Sequence, residues 1–238
     1  MSLVVPAVLP SSRIDLEEKL ALFAGIPSVT RVQIDVVDGR FASPASWPYT
    51  APEELRELIS RGEMLPHLDR ITYEIDLMCH DPETAAEAWL ALGASRLTFH
   101  AESAINLSQL LASARERFGC GFISCGMAEF GLALNVMSDL ALIEPYLDQI
   151  EYVQFMGIAR IGRQGQPFDR HVLDKLRLFH ARHPQIAMQV DGGVSLETAP
   201  ALVALGVSNF IVGSAIVRAN DPSAAVAAFE ALHTPFGV

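Results

Sequence analysis

Two aspartates, each closing a run of β-forming residues and followed by glycine, carry the clearest chemical signal in this chain. One lies in Val32-Gln33-Ile34-Asp35-Val36-Val37-Asp38-Gly39, the other in Met188-Gln189-Val190-Asp191-Gly192-Gly193-Val194. A carboxylate aimed inward from each of two well-separated strands puts one acid/base on either face of a bound substrate. Inverting a carbon centre by removing and returning a proton requires that arrangement. Aspartate beside glycine also caps turns and helix starts, so the chemistry depends on what brings Asp35 and Asp191 together.

Short β-type runs at 3–9, 31–36, 70–77, 96–100, 121–125, 152–156, 187–191 and 209–212 alternate with amphipathic stretches. Those stretches cover 14–23, 52–61, 82–91, 105–118, 140–146, 170–182, 196–205 and 222–232. Their apolar residues recur three and four apart, as a one-sided helix demands. Eight strands, each followed by a helix, predict a parallel sheet closed into a single (β/α)8 TIM barrel over residues 1–238. An open doubly wound sheet would show an early glycine-rich dinucleotide loop, whereas the first strand runs into Leu9-Pro10-Ser11-Ser12. In a barrel the functional face lies at the carboxyl ends of the strands. Strand periodicity turns Gln33 and Asp35 to one side, and likewise Asp76 with Met78 and Gln189 with Asp191.

The chain's 238 residues are half hydrophobic, enough for a large core. Its 17 basic and 28 acidic residues give a net charge of −11 and no basic stripe, which argues against a nucleic-acid partner. No apolar run is long enough to span a membrane. The N-terminus lacks the basic start of a secretory signal and reads as a first strand. Cys79, Cys120 and Cys125 lack metal-site spacing and suit free thiols in a reducing cytoplasm. Lys19 and Lys175, the only lysines, sit in polar helical segments. A Schiff-base aldolase needs a lysine inside its barrel, so that chemistry is not expected.

Eight motifs in order give the chain its resemblance to the ribulose-phosphate 3-epimerase family over nearly its whole length. They are Asp35-Val36-Val37-Asp38-Gly39-Arg40-Phe41, Asp76-Leu77-Met78, Leu97-Thr98-Phe99-His100-Ala101-Glu102, Gly131-Leu132-Ala133-Leu134-Asn135 and Pro145-Tyr146-Leu147-Asp148. Gly165-Gln166-Pro167-Phe168, Val190-Asp191-Gly192-Gly193-Val194 and Val212-Gly213-Ser214-Ala215-Ile216 complete the series. The resemblance implies metal-assisted epimerisation at C3 of a ketopentose 5-phosphate of the pentose phosphate type. One Asp takes the proton, a divalent metal holds the enediolate, and the other Asp returns a proton to the opposite face. Asp35 and Asp191 match those two positions. The resemblance also implies a homo-oligomer.

The metal site departs from the family pattern of two histidines and two aspartates. Gln33 and Asp76 stand at the histidine positions, with Asp35 and Asp191 retained. The resulting set is all oxygen, which favours Mg²⁺ or Mn²⁺ over Zn²⁺. The competing reading is that the metal was lost, leaving Asp76 to pair with an arginine and Gln33 to bond the substrate. Pro10 replaces a serine of the family's first strand loop, and Ser11 is a candidate substitute. Val37 replaces a methionine that lines the reaction centre, while Met78 keeps another. His100, ending the fourth strand, is a candidate substrate contact. His80 reads as a helix-entry residue.

Phosphate binding in this fold uses loops after the later strands. The candidates are Gly162, Arg163, Gly165 and Gln166 in one loop, then Gly192 with Gly193, and Gly213 with Ser214. Arg160 and Arg163 depart from the family loop; each either grips an anion or is simply solvated. The leading expectation is a cytoplasmic epimerase of a small phosphorylated sugar, ribulose 5-phosphate/xylulose 5-phosphate in type. A hexulose 6-phosphate epimerase, an aldose–ketose isomerase and a catalytically silent phosphosugar-binding protein are the alternatives. A related decarboxylase family needs a strand lysine between aspartates, which this chain lacks.

Overall fold

The computed structural model describes residues 3–118 and 128–233. Eight parallel strands close into one barrel in sequence order. They are β1 (Val4–Val8), β2 (Arg31–Val37), β3 (Thr72–Met78), β4 (Arg96–His100), β5 (Glu129–Leu134), β6 (Tyr152–Met156), β7 (Ala187–Asp191) and β8 (Asn209–Val212). The helices are α1 (Arg13–Ala24), α2 (Pro52–Ser60), α3 (Pro82–Ala91), α4 (Leu107–Phe118), α5 (His171–Arg182), α6 (Ala199–Ala204), α7 (Ser214–Val217) and α8 (Pro222–Glu230). The expected (β/α)8 barrel is the observed one.

Local chemistry sets the helix starts. Ser12, Asp81 and Asp221 each accept the backbone N–H three residues on, with proline at N1 of α3 and α8. Between strands and helices lies a continuous apolar layer in which Trp47 packs edge-on against Trp89 and Phe155 against Phe179.

The strand expected at 121–125 lies outside the described residues; the fifth strand of the barrel is Glu129–Leu134. Gly131 on β5 is required by packing: a Cβ there would meet the Tyr152 ring at 2.2 Å. The helix expected at 140–146 is a pair of 3₁₀ turns, Leu140–Leu142 and Glu144–Gln149. Pro145 offers no N–H and disfavours helical backbone at Glu144, so a regular α-helix does not form.

Candidate active site

Strand register brings the inward polar residues together at the carboxyl mouth. Asp35 on β2 lies opposite Asp76 on β3, and Val37 opposite Met78. On the far wall Asp191 on β7 lies opposite Met156 on β6, and Gln189 opposite Gln154. Carboxylate oxygens of Asp35, Asp76 and Asp191 all lie within 4.8 Å of one another. Asp76 is fully buried; Asp35 and Asp191 keep 6% and 9% of their surface and open on a common cleft.

Amide and imidazole donors hold these carboxylates. Gln33 Nε2 bridges the pair, donating to Asp35 Oδ1 at 2.8 Å and to Asp191 Oδ2 at 3.0 Å. His100 Nε2 lies 2.9 Å from Asp76 Oδ1, and Gln154 Nε2 donates to Asp76 Oδ2 at 3.0 Å. The Gln154 amide is oriented from below, because its Oε1 accepts from Gln189 Nε2 at 2.8 Å. Gln189 also donates to the buried Glu74, which Arg96 and Thr98 hold in turn. A hydrogen-bonded column thus runs up the barrel interior to the aspartates.

Burial and mutual repulsion govern protonation here. Burial, then the Asp76 charge, pushes the Asp35 carboxyl up to about 8, against the Gln33 hydrogen bond. Burial, then Asp35 and Asp76, raises Asp191 well above the usual carboxylate range. At His100, burial works against the imidazolium, but the charge and hydrogen bond of Asp76 outweigh it and raise the group.

The donor set fits a hard divalent cation. Three carboxylates converge, and the buried Gln33 Oε1 has no hydrogen-bond partner among the described residues. Rotating that amide by half a turn would present its oxygen instead of its nitrogen. Oxygen donors of this kind suit Mg²⁺ or Mn²⁺.

All eight candidate phosphate residues line the same cleft as Asp35 and Asp191: Gly162, Arg163, Gly165, Gln166, Gly192, Gly193, Gly213 and Ser214. Gly162, Gly165, Gly192 and Gly193 all adopt positive φ, which glycine alone takes without strain. Arg163 Nε donates to the Ser43 carbonyl at 3.0 Å, bracing this loop against the one after β2. The Arg160 side chain is exposed, and its carbonyl accepts from Gln166.

Other expectations are corrected or refined. Met78 lines the cleft as expected, with Met156 facing it. Ser11 does not reach it: the residue is exposed, and its Oγ donates to Asp15 at the start of α1. His100, expected as a substrate contact, is fully buried, is not part of the cleft lining and is hydrogen-bonded to Asp76. Asp76 pairs with His100 and Gln154, not with an arginine. His80 is exposed, its backbone N–H held by Asp38. Lys19 pairs with Asp15, and Lys175 donates to the Asn135 and Ser138 carbonyls, so neither reaches the barrel interior. Gln154, Gln164 and Met156 were missed; the inward parity of β6 that pairs Gln154 with Met156 was the available signal.

A closed parallel barrel with converging carboxylates and glycine turns at one mouth is the architecture of an enzyme handling small anionic substrates. Sequence comparison narrows the class. The profile of the "Ribulose-phosphate 3 epimerase family" matches residues 3–217, and the chain belongs to that family: it is a sugar-phosphate epimerase, an isomerase. It is 28% identical over 237 residues to the ribulose-phosphate 3-epimerase of Mycobacterium leprae, covering 96% of this chain and 93% of that one. The Schizosaccharomyces pombe ribulose-phosphate 3-epimerase is 24% identical over 219 residues, covering 92% and 88%. Among solved structures, KGPDC from Streptococcus mutans superposes with a TM-score of 0.67 at 19% identity, covering 100% of each chain. The 3-hexulose-6-phosphate synthase of Salmonella typhimurium gives 0.64 at 15% identity, over 98% of each. At such identities the two structures establish the shared fold. No helix among the described residues is long and apolar enough to cross a membrane.

Proposed function

We propose that this protein interconverts the C3 epimers of a ketopentose 5-phosphate, of the ribulose 5-phosphate/xylulose 5-phosphate type, by two-aspartate proton transfer. The observation that carries this reading is that Asp35 and Asp191, from strands on separate walls, open on the one cleft the phosphate-type loops also line. One carboxylate takes the C3 proton from its side of the sugar, leaving an enediolate. The other carboxyl delivers a proton to the opposite face. Both carboxyls are raised by burial and by neighbouring carboxylates, and both accept from the Gln33 amide; like charges this close favour a proton on one of them, the arrangement a one-acid, one-base exchange needs.

Asp35, Asp76 and Asp191, with Gln33 turned to present its oxygen, are the residues that would hold a divalent cation. When bound, such a cation supplies charge stabilisation for the enediolate oxygens. Gln33, Gln154 and His100 fix the directions in which the carboxylates point. Met78 and Met156 line the cleft with apolar surface that keeps water from a reactive intermediate. The turns at 162–165, 192–193 and 213–214 offer backbone N–H groups to the phosphate.

The test is product identification by carbon NMR with ribulose 5-phosphate and, separately, a hexulose 6-phosphate, with Mg²⁺ supplied. Xylulose 5-phosphate as the product is the expected result. An aldose product, or turnover of the hexulose alone, points to the isomerase or longer-chain reading. Ligand-induced thermal stabilisation without turnover points to a silent binding protein.

A further inference from the structure

The opposite, amino-terminal end of the barrel carries a second concentration of charge. Arg31, Thr72, Arg96 and Glu129 each open a strand, and register pairs Arg31 with Thr72 and Arg96 with Glu129. With Thr30, Arg70 and Val5 they line a cavity of about 260 Å³. At about 30 Å³ per water that is room for roughly eight waters, ample for a tetrahedral oxyanion.

The three guanidiniums are unequally satisfied. Arg96 is committed: its Nε donates to Glu74 at 3.0 Å, it pairs with Glu129, and it lies 4.1 Å over the Tyr152 ring. Arg70 spends one N–H on the Ala24 carbonyl. Arg31 is different. Its side chain is only 16% exposed, and its nearest acidic contact, Glu74 Oε2, is 3.9 Å away, too far for a hydrogen bond. Among the described residues no hydrogen bond uses its five N–H donors. Glu74 cannot move to it, because Arg96, Thr98 and Gln189 already hold that carboxylate. Burial, reinforced by Arg96 and only partly offset by Glu74, lowers the Arg31 guanidinium from its ordinary value. The lining itself carries three arginines and one glutamate, in a chain whose net charge is −11.

We propose that this basal cavity is an anion site, taking a phosphate group, free or as a phosphate monoester, between Arg31 and Arg70. The planar fork of Arg31 offers two parallel N–H groups to such a ligand, and Thr30 and Thr72 line the same space. The site stands independently of the upper cleft.

Calorimetric titration with inorganic phosphate, and separately with glycerol phosphate, tests it in a Ser214→Glu background, where an added carboxylate repels anions from the upper cleft. One phosphate still binds, and adding Arg31→Gln weakens it about tenfold or more, as loss of a charge-assisted contact predicts. Arg70→Gln, on the exposed rim, weakens it too and decides the matter where Arg31→Gln fails to fold. Tighter binding of inorganic phosphate identifies a free-ion site, and tighter glycerol phosphate an ester site. A Ser214→Glu protein that binds neither ligand overturns the proposal, as does affinity unchanged by either arginine substitution.

Discussion

Three buried carboxylates held within 4.8 Å of one another make the cation-free protein sensitive to pH in a direction opposite to that of most acidic side chains. Asp35 ordinarily titrates at 3.8 and is pushed up to about 8 in the folded chain by burial, then by Asp76. Between those values the folded state binds more protons than the unfolded one, so stability falls as pH rises. The loss runs at about 1.36 kcal/mol per pH unit until pH 8. Between pH 5.5 and 8.5 the 2.5 units below pH 8 amount to about 3 kcal/mol from Asp35 alone. For a chain of this length that lowers Tm by roughly 6–12 °C. The assay is differential scanning fluorimetry in chelator across this range, on the native protein and on Asp35→Asn. The native protein should lose stability steeply; Asp35→Asn, which has no charge to gain at that position, should lose clearly less. Mg²⁺ should restore stability most at the alkaline end, because the cation binds the deprotonated carboxylates. Stability that is flat or rising from pH 5.5 to 8.5 in chelator, or an equal slope in Asp35→Asn, refutes the reasoning.

Gln33→His, which adds an imidazole to the oxygen donors, should tighten Zn²⁺ binding with little gain for Mg²⁺, read by calorimetry. Arg163→Ala should raise KM for a phosphorylated ketose about tenfold with kcat little changed, as loss of a charge-assisted phosphate contact predicts; an unchanged KM would mean its role ends at the Ser43 carbonyl. Gly131→Ala, whose Cβ would meet the Tyr152 ring at 2.2 Å, should cost about 1–3 kcal/mol of stability, seen as a lower Tm.

The parts of the molecule written in local pattern were legible beforehand. Alternating β and helical periods announced the barrel, and the strands carrying Asp35 and Asp191 lie where the sequence puts them. The three glycine turns line one cleft as expected, and in two of them, at 162–165 and 192–193, positive φ leaves a composition signature. What depends on tertiary neighbours was not legible. β5 lies at residues 129–134, where Gly131 accommodates Tyr152 from the adjacent strand. The sequence marks Ser11 as near the first strand's end, yet its hydroxyl serves Asp15 on the next helix. His100 reads as a strand-end contact, but Asp76 draws it into the wall. The link from Gln189 through Gln154 to Asp76 escapes a reading directed at charged and nucleophilic residues, because it exists only once β6 and β7 are paired and the barrel is closed.

The central claim, two carboxyls acting on opposite faces of one carbon, is tested most directly by proton NMR of both C3 epimers in D₂O. The native protein and Asp191→Asn are compared with Mg²⁺ present. The account predicts that the native protein places solvent deuterium at C3 of both epimers. In Asp191→Asn epimerisation should fall about 10²–10⁴-fold, while Asp35 continues to exchange the C3 proton of one epimer only. Epimerisation that retains the original C3 hydrogen, or equal exchange from both epimers in Asp191→Asn, contradicts it.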